Sequence, residues 1–165
     1  GWIIEGIFSR SAPRSLDYIE ASEKMIYLSQ KRLLKLAPNL QDKVCLMHGT
    51  EKDIPTDKKY GCILCFFFFD LFPQQDFEVL FDQLHLHLIE HGQIMLADFY
   101  PPKSSFQKGL LWTMYAFFRI VAGLKNQKLP QVEASFRAYG YEKNLAKSYA
   151  KGFIKSSIWK KIPNF

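Results

Sequence analysis

The chain predicts an α/β fold of the doubly wound type, and three observations predict it. A short apolar run closing in an acid, Leu16 to Glu20, is followed at once by a helix start at Ser22. Strand-length and helix-length apolar patterns then alternate as far as residue 98, the pattern of a mostly parallel sheet. Three strand runs end at or beside an acid, namely Glu20, Asp70 and Asp98. Open α/β sheets take ligands outside the carboxyl ends of their strands, so these acids are expected to share one rim.

The elements follow in order. Gly1 to Phe8 reads as a helix already under way, and no initiator Met precedes it. In dinucleotide-binding folds an acid at the end of the second strand takes a nucleoside ribose ~20 residues beyond a glycine-rich turn. Glu20 stands at nearly that distance from Gly1, so the first strand and most of the glycine loop are expected to be missing upstream. Ser22 caps a helix that carries Glu23 in its first turn, has Lys31, Arg32 and Lys35 toward its carboxyl end, and stops at Pro38. Val44 to His48 is a strand that breaks at Gly49. Cys62 to Phe69 is almost wholly apolar and reads as a central strand covered on both faces. Phe77, Leu80, Phe81, Leu84 and Leu88 recur at helical spacing, with Asp76 as the cap and Gly92 as the stop. Gln93 to Ala97 is the next strand, closed by Asp98. After Pro101-Pro102 come a long aromatic helix, Ser105 to Gly123, and a shorter one between Pro130 and Gly140. The tail alternates on either side of Lys151-Gly152 and predicts an antiparallel hairpin.

Composition bounds the rest. At 165 residues and 48% hydrophobic, the chain is expected to form a single domain, 1–165, with a core that needs no staples. Cys45, Cys62 and Cys65 lie in apolar runs without metal-ligand spacing and read as reduced core thiols of a cytoplasmic protein. The net charge of +6 admits an anionic partner, but Lys147, Lys151, Lys155, Lys160 and Lys161 recur as solvated strand positions do, which disfavours nucleic acid. The apolar stretch from Gly109 to Leu124 is broken by Arg119 and falls short of the ~20 residues of a membrane span. His85, His87 and His91 are placed on the helix before Gly92 without a nearby acid, so no metal is expected.

This order of elements resembles a class I S-adenosylmethionine-dependent methyltransferase. The carriers are Leu16 to Ser22 with Met25, His48 to Pro55, Cys62 to Phe72 and Gly92 to Phe99. The resemblance implies a three-layer Rossmann-like sheet, mostly parallel with a carboxyl-terminal antiparallel hairpin, and S-adenosylmethionine as cofactor. It implies cofactor contacts at Gly1, the last glycine of the loop, at Glu20 on the ribose, and at Ala21 and Met25 beside the adenosine. Thr50 and Glu51 match the adenine-contacting pair, with Thr50 standing where the family has an acid. Cys65 and Phe66 match the strand end that faces the methionine part. The run Phe66 to Phe69 replaces the Asn or Asp motif of some nitrogen methyltransferases, which argues against a nucleobase or amide substrate.

Methyl transfer from a sulfonium mainly needs an aligned acceptor, and well-oriented intramolecular reactions show effective molarities of ~10⁵ to 10⁸ M. For a hydroxyl acceptor, Asp98 or Asp70 is the candidate base, with Tyr100 to orient it. His48 reads as a packed or capped strand-end residue. The helix bearing Trp112, Met114, Tyr115, Phe117 and Phe118 reads as core; as a wall of the site it implies a small, apolar or aromatic acceptor. The alternatives are an inactive methyltransferase-like scaffold, kept by Thr50 and the phenylalanine run, and an NAD-dependent oxidoreductase, which Glu20 serves equally well. A terminal hairpin and the lack of a Tyr and Lys pair at helical spacing count against the latter. RNA methylation rests on charge alone.

Overall fold

Ser22 does what its side chain predicts: its hydroxyl accepts the N–H of Met25 and starts a helix with only two residues between it and the strand before. The computed structural model describes residues 2–122 and 129–163. They fall into two units, Gly1–Thr56 and Asp57–Phe165.

The first unit runs α1 (Trp2–Ser11), β1 (Leu16–Glu20), α2 (Glu23–Leu36), a 3₁₀ turn (Pro38–Lys43) and β2 (Val44–His48). The two strands pair in parallel from Leu16↔Val44 to Glu20↔His48, which puts both carboxyl ends at the same level. Ile4, Leu33 and Ala37 form the buried centre, with Phe8, Leu16, Tyr18, Leu40, Val44 and Leu46 packed on it. An ion pair between Arg32 and Glu5 ties α2 to α1 at 2.9 Å. Pro38 ends α2 as expected and opens the 3₁₀ turn.

The second unit runs β3 (Tyr60–Phe66), α3 (Gln74–His87), β4 (Leu88–Phe99), α4 (Ser105–Ala122), α5 (Val132–Ala138), β5 (Tyr141–Tyr149) and β6 (Ile154–Lys161). Its sheet has the order β3-β4-β6-β5, parallel between β3 and β4 and antiparallel on both sides of β6. The hairpin is the one the alternation predicts, turning through Lys151 at φ 56° and Gly152 at φ 86°. The core is aromatic. Phe136 sits between Phe81, at 4.5 Å, and Trp159, at 4.8 Å between ring centroids, and all three side chains are fully buried.

Some expectations are corrected. The strand expected over Cys62 to Phe69 ends at Phe66, because Phe67 adopts φ 50° and Asp98 draws the next amides into a 3₁₀ turn, Phe69–Leu71. In the sheet described, that strand is an edge rather than a central one. Helix α3 stops at His87 and not at Gly92; its N-cap is Pro73 and not Asp76, which lies in the first turn. Gly92 instead lies within β4, where a Cβ would stand 2.6 Å from Leu88 and 2.8 Å from the Ile89 carbonyl. His91 is therefore a strand residue, at φ 60°. Of the three cysteines only Cys65 is buried, since Cys45 and Cys62 face outward on edge strands.

Candidate functional site

At the carboxyl end of β1, the part-buried Glu20 turns its Oε1 toward the chain that follows and accepts the N–H of Ser22 at 3.0 Å. That bond spends one of the roughly four lone-pair sites a carboxylate offers, so the group is oriented and can still accept from a diol. Tyr18 lies two residues earlier on the same strand face. Burial raises its phenol first, and the charge of Glu20 and a hydrogen bond to that carboxylate add to it, so Glu20 meets Tyr18 as well as Ser22 and keeps about two lone-pair sites. Glu20 also accepts the N–H of Gly49 through its backbone carbonyl at 3.1 Å, which fastens the β2 exit to the β1 tip. His48 Nε2 donates to the Ala21 carbonyl at 3.0 Å, so the second strand end is held to the turn that carries Ala21. Met25, one turn into α2, leaves 43% of its surface exposed above this edge.

Thr50 caps the 3₁₀ turn Glu51–Asp53. Its hydroxyl accepts the N–H of Lys52, and its own N–H donates to Asp53 Oδ2 at 2.8 Å. This capping box needs Gly49, because a Cβ there would stand 2.7 Å from Asp53 Oδ2. Glu51 is partly buried beside it. Gly1 lies outside the described residues.

In the second unit Asp98 and Asp70, expected as rim acids, come together and are both buried. Asp98 Oδ2 accepts the N–H groups of Phe69 at 2.9 Å and Asp70 at 3.2 Å, and its Oδ1 accepts that of Phe99 at 2.9 Å. Burial raises both carboxyls; the charge of Asp70 and the hydrogen bond between the two raise Asp98 further, to about 8, while that hydrogen bond from Asp98 holds Asp70 back. The pair therefore holds one proton at neutral pH. Cys65 is buried alongside, its thiol pushed well up by burial first and by Asp98 second. Phe66, the next residue, points to the other face and is 39% exposed.

Tyr100 stands two residues beyond Asp98, and burial, then Glu133 and then the charge of Asp98 push its phenol up. Its hydroxyl donates to Glu133 Oε1 at 3.0 Å, Glu133 also pairs with Lys143, and Lys155 Nζ stands 4.0 Å from the centroid of the Tyr100 ring. Burial pushes the Glu133 carboxyl up, yet the bonds from Lys143 and Tyr100 outweigh it and hold the group below its usual range. Sequence reasoning did not single out Glu133 or Lys143, whose spacing alone gives no sign that they meet. It also gave Tyr115 no role of its own. Among the described residues the buried Tyr115 hydroxyl has no hydrogen-bond partner, and its phenol is pushed up to about 12 by burial, then by Asp70 and Asp98.

His85 bonds Tyr141 and His87 bonds the Lys58 carbonyl, and among the described residues no group of three His, Cys, Asp or Glu could hold a metal ion. No described helix is long and apolar enough to cross a membrane.

No family model matches the chain, and no curated protein matches it. Solved structures do. Magnesium protoporphyrin IX methyltransferase from Synechocystis PCC 6803, with bound S-adenosylhomocysteine, is 15% identical with a TM-score of 0.63, over 91% of this chain and 65% of that one. The mitomycin 7-O-methyltransferase MmcR is 10% identical with a TM-score of 0.70, over 96% and 45%. The glycopeptide N-methyltransferase MtfA, complexed with S-adenosylhomocysteine, is 13% identical with a TM-score of 0.61, over 95% and 87%. The chain thus spans less than two thirds of the Synechocystis enzyme and less than half of MmcR. What the strand order, the terminal hairpin and these likenesses establish together is that this chain has the Rossmann-like fold of the class I S-adenosylmethionine-dependent methyltransferases.

Proposed function

We propose that the protein transfers a methyl group from S-adenosylmethionine to a small, apolar or aromatic acceptor. The observation that carries this reading is Glu20: an acid at a strand tip, held by the Ser22 amide, with lone pairs left for the two hydroxyls of a ribose. The donor set fits a nucleoside. Ala21 and Met25 supply apolar surface beside it, Glu51 is assigned to the adenine amino group because the Thr50 hydroxyl is spent on its cap, and Gly1 belongs to the cofactor loop. Cys65 and Phe66 are assigned to the methionine end.

When bound, the cofactor supplies an electrophilic methyl on a sulfonium. The chain's own work is alignment and proton handling. Asp98 shapes the corner after β3 by accepting three amides, and Asp70, which shares the pair's proton, is assigned to take the proton of a hydroxyl acceptor. Tyr115 is assigned to orient the acceptor through its unspent hydroxyl. Tyr100 is assigned to position Glu133. The fold is shared by an O-methyltransferase and an N-methyltransferase, so the acceptor class rests on the phenylalanine run and the aromatic α4.

Calorimetric titration of S-adenosylhomocysteine into the intact protein tests the reading. Binding that Glu20→Gln weakens by roughly ten- to hundred-fold, the loss expected for hydrogen bonds to a charged group, supports it. No binding, or equal binding by the variant, rejects it.

A further inference from the structure

Two stretches of the second unit contain no carboxylate. Between Asp98 and Glu133 the sequence carries Lys103, Lys108, Arg119, Lys125 and Lys128 and no acid; beyond Glu142 it carries six lysines and no acid. The fold sets the start of the first stretch against the turn of the second. Gln107 Nε2 donates to the Ala150 carbonyl at 2.9 Å, and Lys103 Nζ lies 3.8 Å from where a Cβ of Gly152 would stand.

The outward face of α4 at this junction is apolar. Gln107 and Leu111 are buried, whereas Phe106 is 81% and Trp112 73% exposed, with Leu110 also exposed. At 3.6 residues per turn, Phe106 and Trp112 flank Gly109, whose outward side meets no atom within 4 Å. Tyr149, next to the hairpin turn, is half exposed, and Lys103, Lys108 and Lys151 are exposed around the patch.

We propose that this face, the amino-terminal half of α4 with the β5–β6 turn, seats the protein on an anionic lipid surface. Aromatic and leucine side chains on a helix bordered by lysines insert at the boundary of headgroups and acyl chains, while the lysines meet the negative leaflet. A second copy of the chain is a poor occupant, because a symmetric contact would set these lysines against themselves. The inference is independent of the cofactor assignment.

Cosedimentation with vesicles of phosphatidylcholine, with and without phosphatidylserine, tests it. Binding is expected only to the serine-containing vesicles and is expected to fall with salt. Lys108→Gln and Lys151→Gln should each weaken it about five-fold, and the double change Phe106→Ser with Trp112→Ser should abolish it while circular dichroism stays native. If the double variant fails to fold, the two lysine variants and the salt dependence decide alone. Equal binding to both vesicles, no binding, unchanged binding by the variants, displacement by an RNA oligomer that binds the same face more tightly, or self-association that the same variants remove would each overturn it.

Discussion

The backbone N–H of Ser22 lies 3.0 Å from Glu20 Oε1, so one side chain closes β1 and orders the first turn of α2. Two effects of a change at Glu20 can therefore be separated. Glu20→Gln keeps an oxygen for the Ser22 amide and should leave the melting temperature nearly unchanged. Glu20→Ala strands that amide and should cost about 1 kcal/mol. Thermal unfolding of both variants beside their nucleoside titrations distinguishes a binding role from a structural one.

Ser22→Ala removes the cap on the Met25 amide and should cost about 1 kcal/mol, whereas Ser22→Asp should be nearly neutral because aspartate caps as well. Urea unfolding measures both.

The Asp70–Asp98 pair gives a pH dependence with a definite sign. Both carboxyls are raised in the folded state, with Asp98 pushed up to about 8, so the folded protein binds more protons than the unfolded chain between the ordinary carboxyl range and that value. Their contribution is complete at the acid end of this window and is lost as the pH rises through it. Melting temperature should fall from about pH 5 to pH 8 on this account. Asp70→Asn, which removes the neighbouring charge, should flatten the slope. A slope that survives the substitution would contradict the pairing.

Glu133 acts in the opposite sense. Its carboxyl is held low in the folded state by Lys143 and Tyr100, so its contribution is present above the ordinary carboxyl range and fades as the pH falls through its lowered value. Glu133→Gln should selectively reduce stability on the neutral side and leave the strongly acidic side unchanged. Melting curves at pH 3 and pH 7 check this.

Phe136→Ala should cost about 3–5 kcal/mol, because it empties the space between the rings of Phe81 and Trp159, all of them buried. Chemical denaturation with unchanged slope would confirm loss of packing rather than a changed unfolded state.

Local chemistry was enough to read much of this protein from its residues. The Ser22 cap, the stop at Pro38, the glycine turn of the hairpin and the strand tip at Glu20 each follow from a side chain acting on backbone within a few positions. Tertiary structure decided what depends on distant partners. A phenylalanine run has no signal for where its strand ends; the end is set by Asp98, 29 residues beyond Phe69, which takes the Phe69 amide. Strand β4 begins ahead of Gly92 because Leu88 pairs with Tyr60. The meeting of Tyr100, Glu133 and Lys143, and the outward turn of Phe106 and Trp112 on a helix apolar nearly all round, likewise came from packing. Periodicity and caps record forces within one element, whereas burial of a charge or exposure of a ring is fixed only when the other elements arrive.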